Sequence, residues 1–139
     1  MSLRSHFVFD TNALISAALL KNSISAQAYD HAILTGSIVF SDPLLAEFID
    51  VLFRKKLDKY FRNEEERLEP VLFLEENAKK FEILEKINAS KDPKDNMILE
   101  LAISSQASCI ITGDKKHLLS LRPFRGIPIL SPADFLKQF

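Results

Sequence analysis

Short runs of consecutive apolar residues alternate along this chain with longer segments in which apolar residues recur every three or four positions. The first pattern predicts strands buried on both faces of a sheet, and the second predicts amphipathic helices. The predicted strands cover, in chain order, residues 6–9, 37–41, 81–85, 108–112 and 127–130. The segment 81–85 alternates only partly, so a continuation of the preceding helix is the alternative there.

Helical periodicity fills most of the chain between these strands. The predicted helices cover residues 13–20, 23–34, 44–56, 63–80 and 94–107, followed by a short helical turn over 115–121 and a terminal helix after Ser131. Asp42 and Asp92 each stand directly before a proline, which is typical of a capping residue and the first helical position. Pro70 is expected to end or kink the helix that contains it. Strands alternating with helices predict an α/β fold, a parallel sheet covered by helices on both faces.

Composition restricts the class of protein. The chain has 139 residues, of which 47% are hydrophobic and 27% charged, so we expect one soluble domain. We see neither a signal sequence nor a run long enough to span a membrane, and we therefore expect a cytoplasmic protein. The net charge of −1 gives no support to a nucleic-acid partner, although basic residues cluster locally, as at 54–56 and 115–116. Cys109 is the only cysteine and lies in an apolar run, which predicts a packed thiol.

Four carboxylates are predicted to lie at one edge of the sheet. Asp10 follows the first strand, Glu47 lies about one turn into the helix after the second, Asp95 lies in the first turn of the helix after Pro93, and Asp114 follows the fourth strand. The carboxyl ends of parallel strands meet at the same edge, which is where ligands bind in such sheets. We therefore expect these side chains to converge.

Each acidic residue alone also suits a helix start, where carboxylates cap the backbone and complement the dipole. Asp42 and Asp92 are assigned to that structural role. Asp95 differs because Ile98 and Leu99 share its side of the helix, so it is expected to point toward the sheet. A carboxylate directed inward needs a partner.

Repulsion decides what a converged cluster would need. Two carboxylates about 5 Å apart repel by roughly 3 kcal/mol at an effective dielectric constant of about 20. We see no Arg or Lys placed by the sequence to neutralise the cluster from within, whereas an all-oxygen ligand set suits Mg²⁺ or Mn²⁺. Nearby hydroxyl and amide side chains are expected to orient the ligands or their waters: Thr11, Asn12, Ser41 and Thr112. Ions held in this way activate water for phosphodiester hydrolysis, which indicates a nuclease.

Other chemistries have less support. The three glycines, Gly36, Gly113 and Gly126, form no phosphate-binding loop. No serine nucleophile elbow is present, and the histidines lack ligand spacing.

Several segments, taken together and in order, resemble the PIN domain family, and in particular the VapC-like toxins of prokaryotic toxin/antitoxin pairs. They are Asp10-Thr11-Asn12 after a buried strand, LLAEF at 44–48, DPKDNMILELA at 92–102, IITGD at 110–114 and IPILSP at 127–132. The resemblance covers nearly the whole chain. Each segment alone is weak evidence, and the set is specific.

The resemblance implies one PIN-like domain over residues 1–139, a three-layer α/β/α fold whose five-stranded parallel sheet has the order 3-2-1-4-5. It also implies a Mg²⁺- or Mn²⁺-dependent endoribonuclease that cleaves single-stranded RNA, forms a homodimer and is inhibited by a cognate antitoxin. The implied catalytic residues and metal ligands are Asp10, Glu47, Asp95 and Asp114, supported by Thr11, Asn12 and Thr112. Because they lie near this predicted site, Arg54 and Lys115 are expected to bind the phosphate backbone.

Two alternatives remain open. Haloacid-dehalogenase-like phosphatases also carry a nucleophilic aspartate after the first strand, here Asp10, and a Gly-Asp pair after a later one. Asn12 and Leu14 stand where their motif has an acidic residue and a threonine. The other alternative is a non-catalytic RNA-binding or interaction module of the same fold, in which the carboxylates bind metal weakly or only cap helices.

Overall fold

The strand Ser5–Phe9 (β1) is the centre of a five-stranded parallel sheet in the computed structural model, which describes residues 4–113 and 117–139. The sheet order is β3-β2-β1-β4-β5, so the expected order 3-2-1-4-5 is confirmed. The other strands are β2 (Gly36–Phe40), β3 (Lys79–Lys80), β4 (Cys109–Ile111) and β5 (Ile129–Leu130). In the register, Phe7 of β1 pairs with Ile38 of β2 and with Cys109 of β4.

Helices flank the sheet and seal its central strand. They are α1 (Thr11–Leu19), α2 (Ile24–Thr35), α3 (Asp42–Leu52), α4 (Glu64–Asn77), α5 (Pro93–Ser105) and α6 (Pro132–Gln138), with 3₁₀ helices at Lys55–Tyr60 and Leu118–Leu121. The rings of Phe7 and Phe9 pack edge-on against Phe135 of α6, while Val8 points to the opposite face. All three β1 residues are at most 1% exposed, as burial on both faces requires. Among the described helices, none is long and apolar enough to cross a bilayer.

The predicted third strand is displaced along the chain. It was expected at 81–85, but β3 occupies Lys79–Lys80, and the amide of Phe81 adds one more hydrogen bond to the carbonyl of Phe40 (2.8 Å). The chain then leaves the sheet because side chains of α5 accept from its backbone. Ser104 Oγ accepts from the amide of Leu84 (2.9 Å), and Glu100 Oε2 accepts from the amide of Ile87 (3.0 Å).

The start of α3 also differs from the prediction. Ser41, and not Asp42, is the N-cap, because its hydroxyl accepts from the amide of Leu44 at 3.3 Å. Asp42 lies one residue later, in the first turn, and its carboxylate forms an ion pair with Lys80 at 2.9 Å. Ser41 therefore caps α3, and its role in orienting a metal ligand stays a prediction.

Two helix ends were predicted incorrectly. The helix α3 ends at Leu52 instead of residue 56, and Arg67 of α4 donates to the freed carbonyl of Leu52 at 2.8 Å. The helix α4 ends at Asn77 instead of residue 80. It passes through Pro70 without ending there, so of the two expected effects of this proline only a kink stays a prediction.

Candidate active site

Carboxylates at the starts of α1 and α5 and in the middle of α3 line a cavity of about 320 Å³. We call it the acidic cavity and define it by Asp10, Glu47, Asp92 and Asp95. The exposed Asn12 also lines it. Three of the four predicted acidic residues thus face one cavity. Asp114 and Lys115, predicted as metal ligand and phosphate-binding residue, lie outside the described residues.

Asp10 is firmly held by hydrogen bonds. It follows β1 directly, is 5% exposed, and is the N-cap of α1, with Oδ1 accepting from the amide of Ala13 at 2.8 Å. The same oxygen accepts from the amide of Gly113 at 3.1 Å, and the hydroxyl of Thr112 donates to Oδ2. Donors from α1 and from the end of β4 therefore fix the carboxylate, and the N-terminus of α1 stabilises its negative charge.

Glu47 of α3 contacts residues of two other elements. Its Oε2 accepts from the hydroxyl of Thr11 at 2.9 Å, and its Oε1 lies 3.3 Å from the ammonium Nζ of Lys94. The Glu47 side chain is only 15% exposed. The prediction that no Lys or Arg neutralises the cluster from within is therefore wrong. It failed because the helical pattern of α5 carries no information about α3.

Asp95 is buried at 8% exposure, as its predicted inward orientation requires, and its Oδ2 accepts from the hydroxyl of Ser90 at 3.0 Å. Asn96 holds the backbone of Ser90 in place. The amide of Ser90 donates to Asn96 Oδ1 at 2.8 Å, and Asn96 Nδ2 donates to the carbonyl of Ser90 at 2.8 Å. Asp92 is exposed and caps α5 by accepting from the amide of Lys94 at 3.0 Å.

The sequence analysis did not predict that Ser90, Lys94 and Asn96 contact or support the site carboxylates. The polar residues around the start of α5 are the one available signal for this role, and such residues are equally typical of helix capping.

Basic side chains form part of the wall. Arg54 and Lys56 line the acidic cavity beside Lys94. Arg54 is paired with Asp50, one turn earlier, at 3.2 Å, and both side chains are substantially exposed. The expected position of Arg54 near the site is therefore observed, and its role toward phosphate stays a prediction.

The donor chemistry fits a hard divalent cation. Within residues 4–113 and 117–139, no group of three His, Cys, Asp or Glu side chains is close enough to form a complete metal site. Mg²⁺, however, usually keeps several waters and takes only one or two protein carboxylates. Asp10 and Asp95 are buried and fixed by hydrogen bonds, and with Glu47 they offer carboxylate oxygens only, which suits such an open site.

Cys109 does not supply thiol chemistry to this site. Cys109 of β4 is buried as predicted, and burial raises the pKa of its thiol to about 12. The thiol is therefore protonated at neutral pH, and a protonated thiol is a poor nucleophile.

Comparisons with known proteins agree with this architecture. The family model described as PIN domain matches residues 6–116. Among solved structures, the chain is similar to the crystal structure of VapBC2 from Rickettsia felis bound to a DNA fragment from its promoter, with a TM-score of 0.61 and 14% identity. That match covers 89% of this chain and 96% of the other, and at this identity it shows the fold. No curated protein matches the sequence.

Proposed function

The chain belongs to the PIN domain family, whose members are generally divalent-metal-dependent nucleases, and from this membership we propose that it is an endoribonuclease acting on single-stranded RNA. One observation carries the proposal. Asp10 and Asp95 are buried carboxylates from distant parts of the chain, and together with Glu47 they line one cavity of about 320 Å³.

We propose that Asp10, Glu47 and Asp95, with Asp114 as a fourth ligand, hold Mg²⁺ or Mn²⁺. When bound, such an ion supplies a water of lowered pKa and stabilises the leaving oxygen of a phosphodiester. The protein's own contribution is positional. Thr112 fixes Asp10, Thr11 fixes Glu47 and Ser90 fixes Asp95, so that the three carboxylates are oriented before substrate enters.

Substrate contacts are assigned to the basic and polar wall. Arg54 lies on the cavity and Lys115 follows Asp114 in the sequence, and we propose that both attract the phosphate backbone. Asn12 is exposed on the cavity, where its amide can hydrogen-bond to substrate or to a metal-bound water. These local positive charges matter because the protein as a whole has a net charge of −1 and therefore does not attract RNA over long range.

We further propose that residues 1–139 form a single domain that acts in the cytoplasm as a homodimer and as the toxin of a toxin/antitoxin pair. The support is the likeness of fold to the VapBC2 structure and the motifs quoted above. Co-purification of the chain with the product of an adjacent gene, and loss of cleavage on adding it, is the corresponding test.

The activity test compares wild-type protein with Asp10→Asn and Asp42→Asn on labelled single-stranded RNA. Asp42 is the matched control because it also follows a strand and forms an ion pair outside the cavity. We expect cleavage by wild-type protein with Mn²⁺, none with EDTA, a loss of about 100-fold or more in Asp10→Asn, and full activity in Asp42→Asn.

Equal cleavage by wild-type protein and Asp10→Asn would overturn the proposal. RNA binding without cleavage would support the non-catalytic module, and a phosphoenzyme trapped on Asp10 would support the phosphatase.

A further inference from the structure

Lys94 brings a positive charge into the acidic cavity. It lies in the first turn of α5, next to Asp95 in the sequence, and its Nζ is 3.3 Å from Glu47 Oε1. The Lys94 side chain is 62% exposed, whereas that of Glu47 is 15% exposed. The pair thus joins a carboxylate that is held in place to an ammonium that solvent reaches.

The other basic side chains of the wall are arranged differently. Arg54, just beyond the end of α3, is paired with Asp50 of α3, which is not one of the cavity carboxylates. Of the Lys and Arg side chains in the described ranges that line the cavity, Lys94 alone forms an ion pair with one of its carboxylates. The backbone of Lys94 is fixed because its amide donates a hydrogen bond to the carboxylate of Asp92 at 3.0 Å.

Glu47 Oε1 cannot bind an ammonium and a divalent cation equally well at the same time, because two cations in contact with one oxygen repel each other. The Thr11 hydroxyl holds Oε2 at 2.9 Å, so Glu47 itself is kept in place while the partner of Oε1 changes. The Lys94 end of the pair is exposed to water, which screens the attraction, and a lysine stem is flexible, so the ammonium can be released at modest cost. A phosphate entering the same cavity offers it a new anionic partner.

We propose that Lys94 is an internal counter-ion that neutralises Glu47 until a divalent cation binds, and that then contacts the phosphate of the substrate. The inference rests on the proposed nuclease function, and it assigns Lys94 a role in substrate binding. It predicts effects of opposite sign, since removing the ammonium helps the cation and weakens the hold on RNA.

The test measures both effects on Lys94→Met. Titration calorimetry with MnCl₂ alone should show binding about 2- to 5-fold tighter than in wild-type protein, the equivalent of an exposed ion pair. At saturating Mn²⁺, KM for RNA cleavage should rise severalfold, with a larger change in KM than in kcat. The slope of log KM against log salt should fall by about 0.7, the value for one phosphate contact on a single strand.

Two variants serve as controls. Lys91→Met makes the same change of charge on the same segment, but Lys91 does not line the cavity, so both readouts should match wild-type protein. Lys94→Arg keeps the charge and should restore most of the RNA affinity.

Weaker or unchanged Mn²⁺ binding in Lys94→Met, or equal effects in Lys94→Met and Lys91→Met, would overturn the inference while leaving the nuclease in place. If wild-type protein neither binds Mn²⁺ nor cleaves RNA, the proposed function fails, and this inference fails with it.

Discussion

Arg67 joins α4 to the turn that carries the basic wall of the cavity, and its removal should be costly. Its Nε donates to the carbonyl of Leu52 at 2.8 Å and its Nη2 to the carbonyl of Arg54 at 2.8 Å, while Nη1 pairs with Asp58 at 2.7 Å. The side chain is 12% exposed. The guanidinium therefore satisfies the end of α3 and fixes the backbone of Arg54.

The magnitude follows from these contacts. Each hydrogen bond from a charged donor to a backbone carbonyl contributes about 1.5 kcal/mol, and the ion pair with the exposed Asp58 contributes at most about 0.5 kcal/mol. The guanidinium also lies 5.3 Å from the ring centroid of Phe53 and 5.2 Å from that of Phe61, worth about 0.5 kcal/mol each. Arg67→Ala should lower the free energy of unfolding by about 4 kcal/mol, or Tm by roughly 12 °C.

Urea denaturation followed by circular dichroism measures this loss. Arg67→Lys should recover only part of it, because an ammonium cannot reproduce the planar fork that reaches both carbonyls. Arg67→Ala should also raise KM for RNA, because the backbone of Arg54 loses the hydrogen bond that fixes it. Arg62→Ala is the control. The Arg62 side chain is 89% exposed and, among residues 4–113 and 117–139, forms an ion pair only with Glu66, so the urea midpoint should not change. A loss below about 1 kcal/mol in Arg67→Ala would refute the reasoning.

Two further predictions concern Ser90 and Cys109. Ser90→Ala removes the hydroxyl that orients Asp95 and should weaken Mn²⁺ binding about 10-fold by calorimetry. Ser104→Ala, the control, breaks the contact of α5 with the Leu84 amide and should leave Mn²⁺ binding unchanged; equal losses in the two variants would contradict the positioning role of Ser90. Burial raises the pKa of Cys109 to about 12, above the value of about 8.5 in the unfolded chain. The contribution of this thiol to the free energy of unfolding is therefore complete below a pH of about 8.5 and is lost as the pH rises toward 12. Iodoacetamide at pH of about 8.5 should therefore modify the urea-unfolded chain and not the folded one, and rapid labelling of folded protein would disprove this.

The sequence alone determined the order and type of most elements, because strand and helix periodicities are local properties. The carboxylate directly after β1 and the inward face of α5 follow from local patterns, so the sequence was enough to predict the places of Asp10 and Asp95. The sheet order was implied by resemblance to a family, and the structure confirmed it. Asp114 and Lys115 remain predictions.

Tertiary structure decided which groups meet. Thr112 and Asp10 are 102 residues apart, and Thr11 and Glu47 are 36 apart, so neither hydrogen bond is encoded in a local pattern. The placement of Lys94 on Glu47 likewise depends on how α5 packs beside α3. Periodicity tells which face of a helix is buried, but it does not tell which face of a neighbouring helix lies opposite. For that physical reason the carboxylates of this site were predictable, whereas the partners that orient and neutralise them required the packed chain.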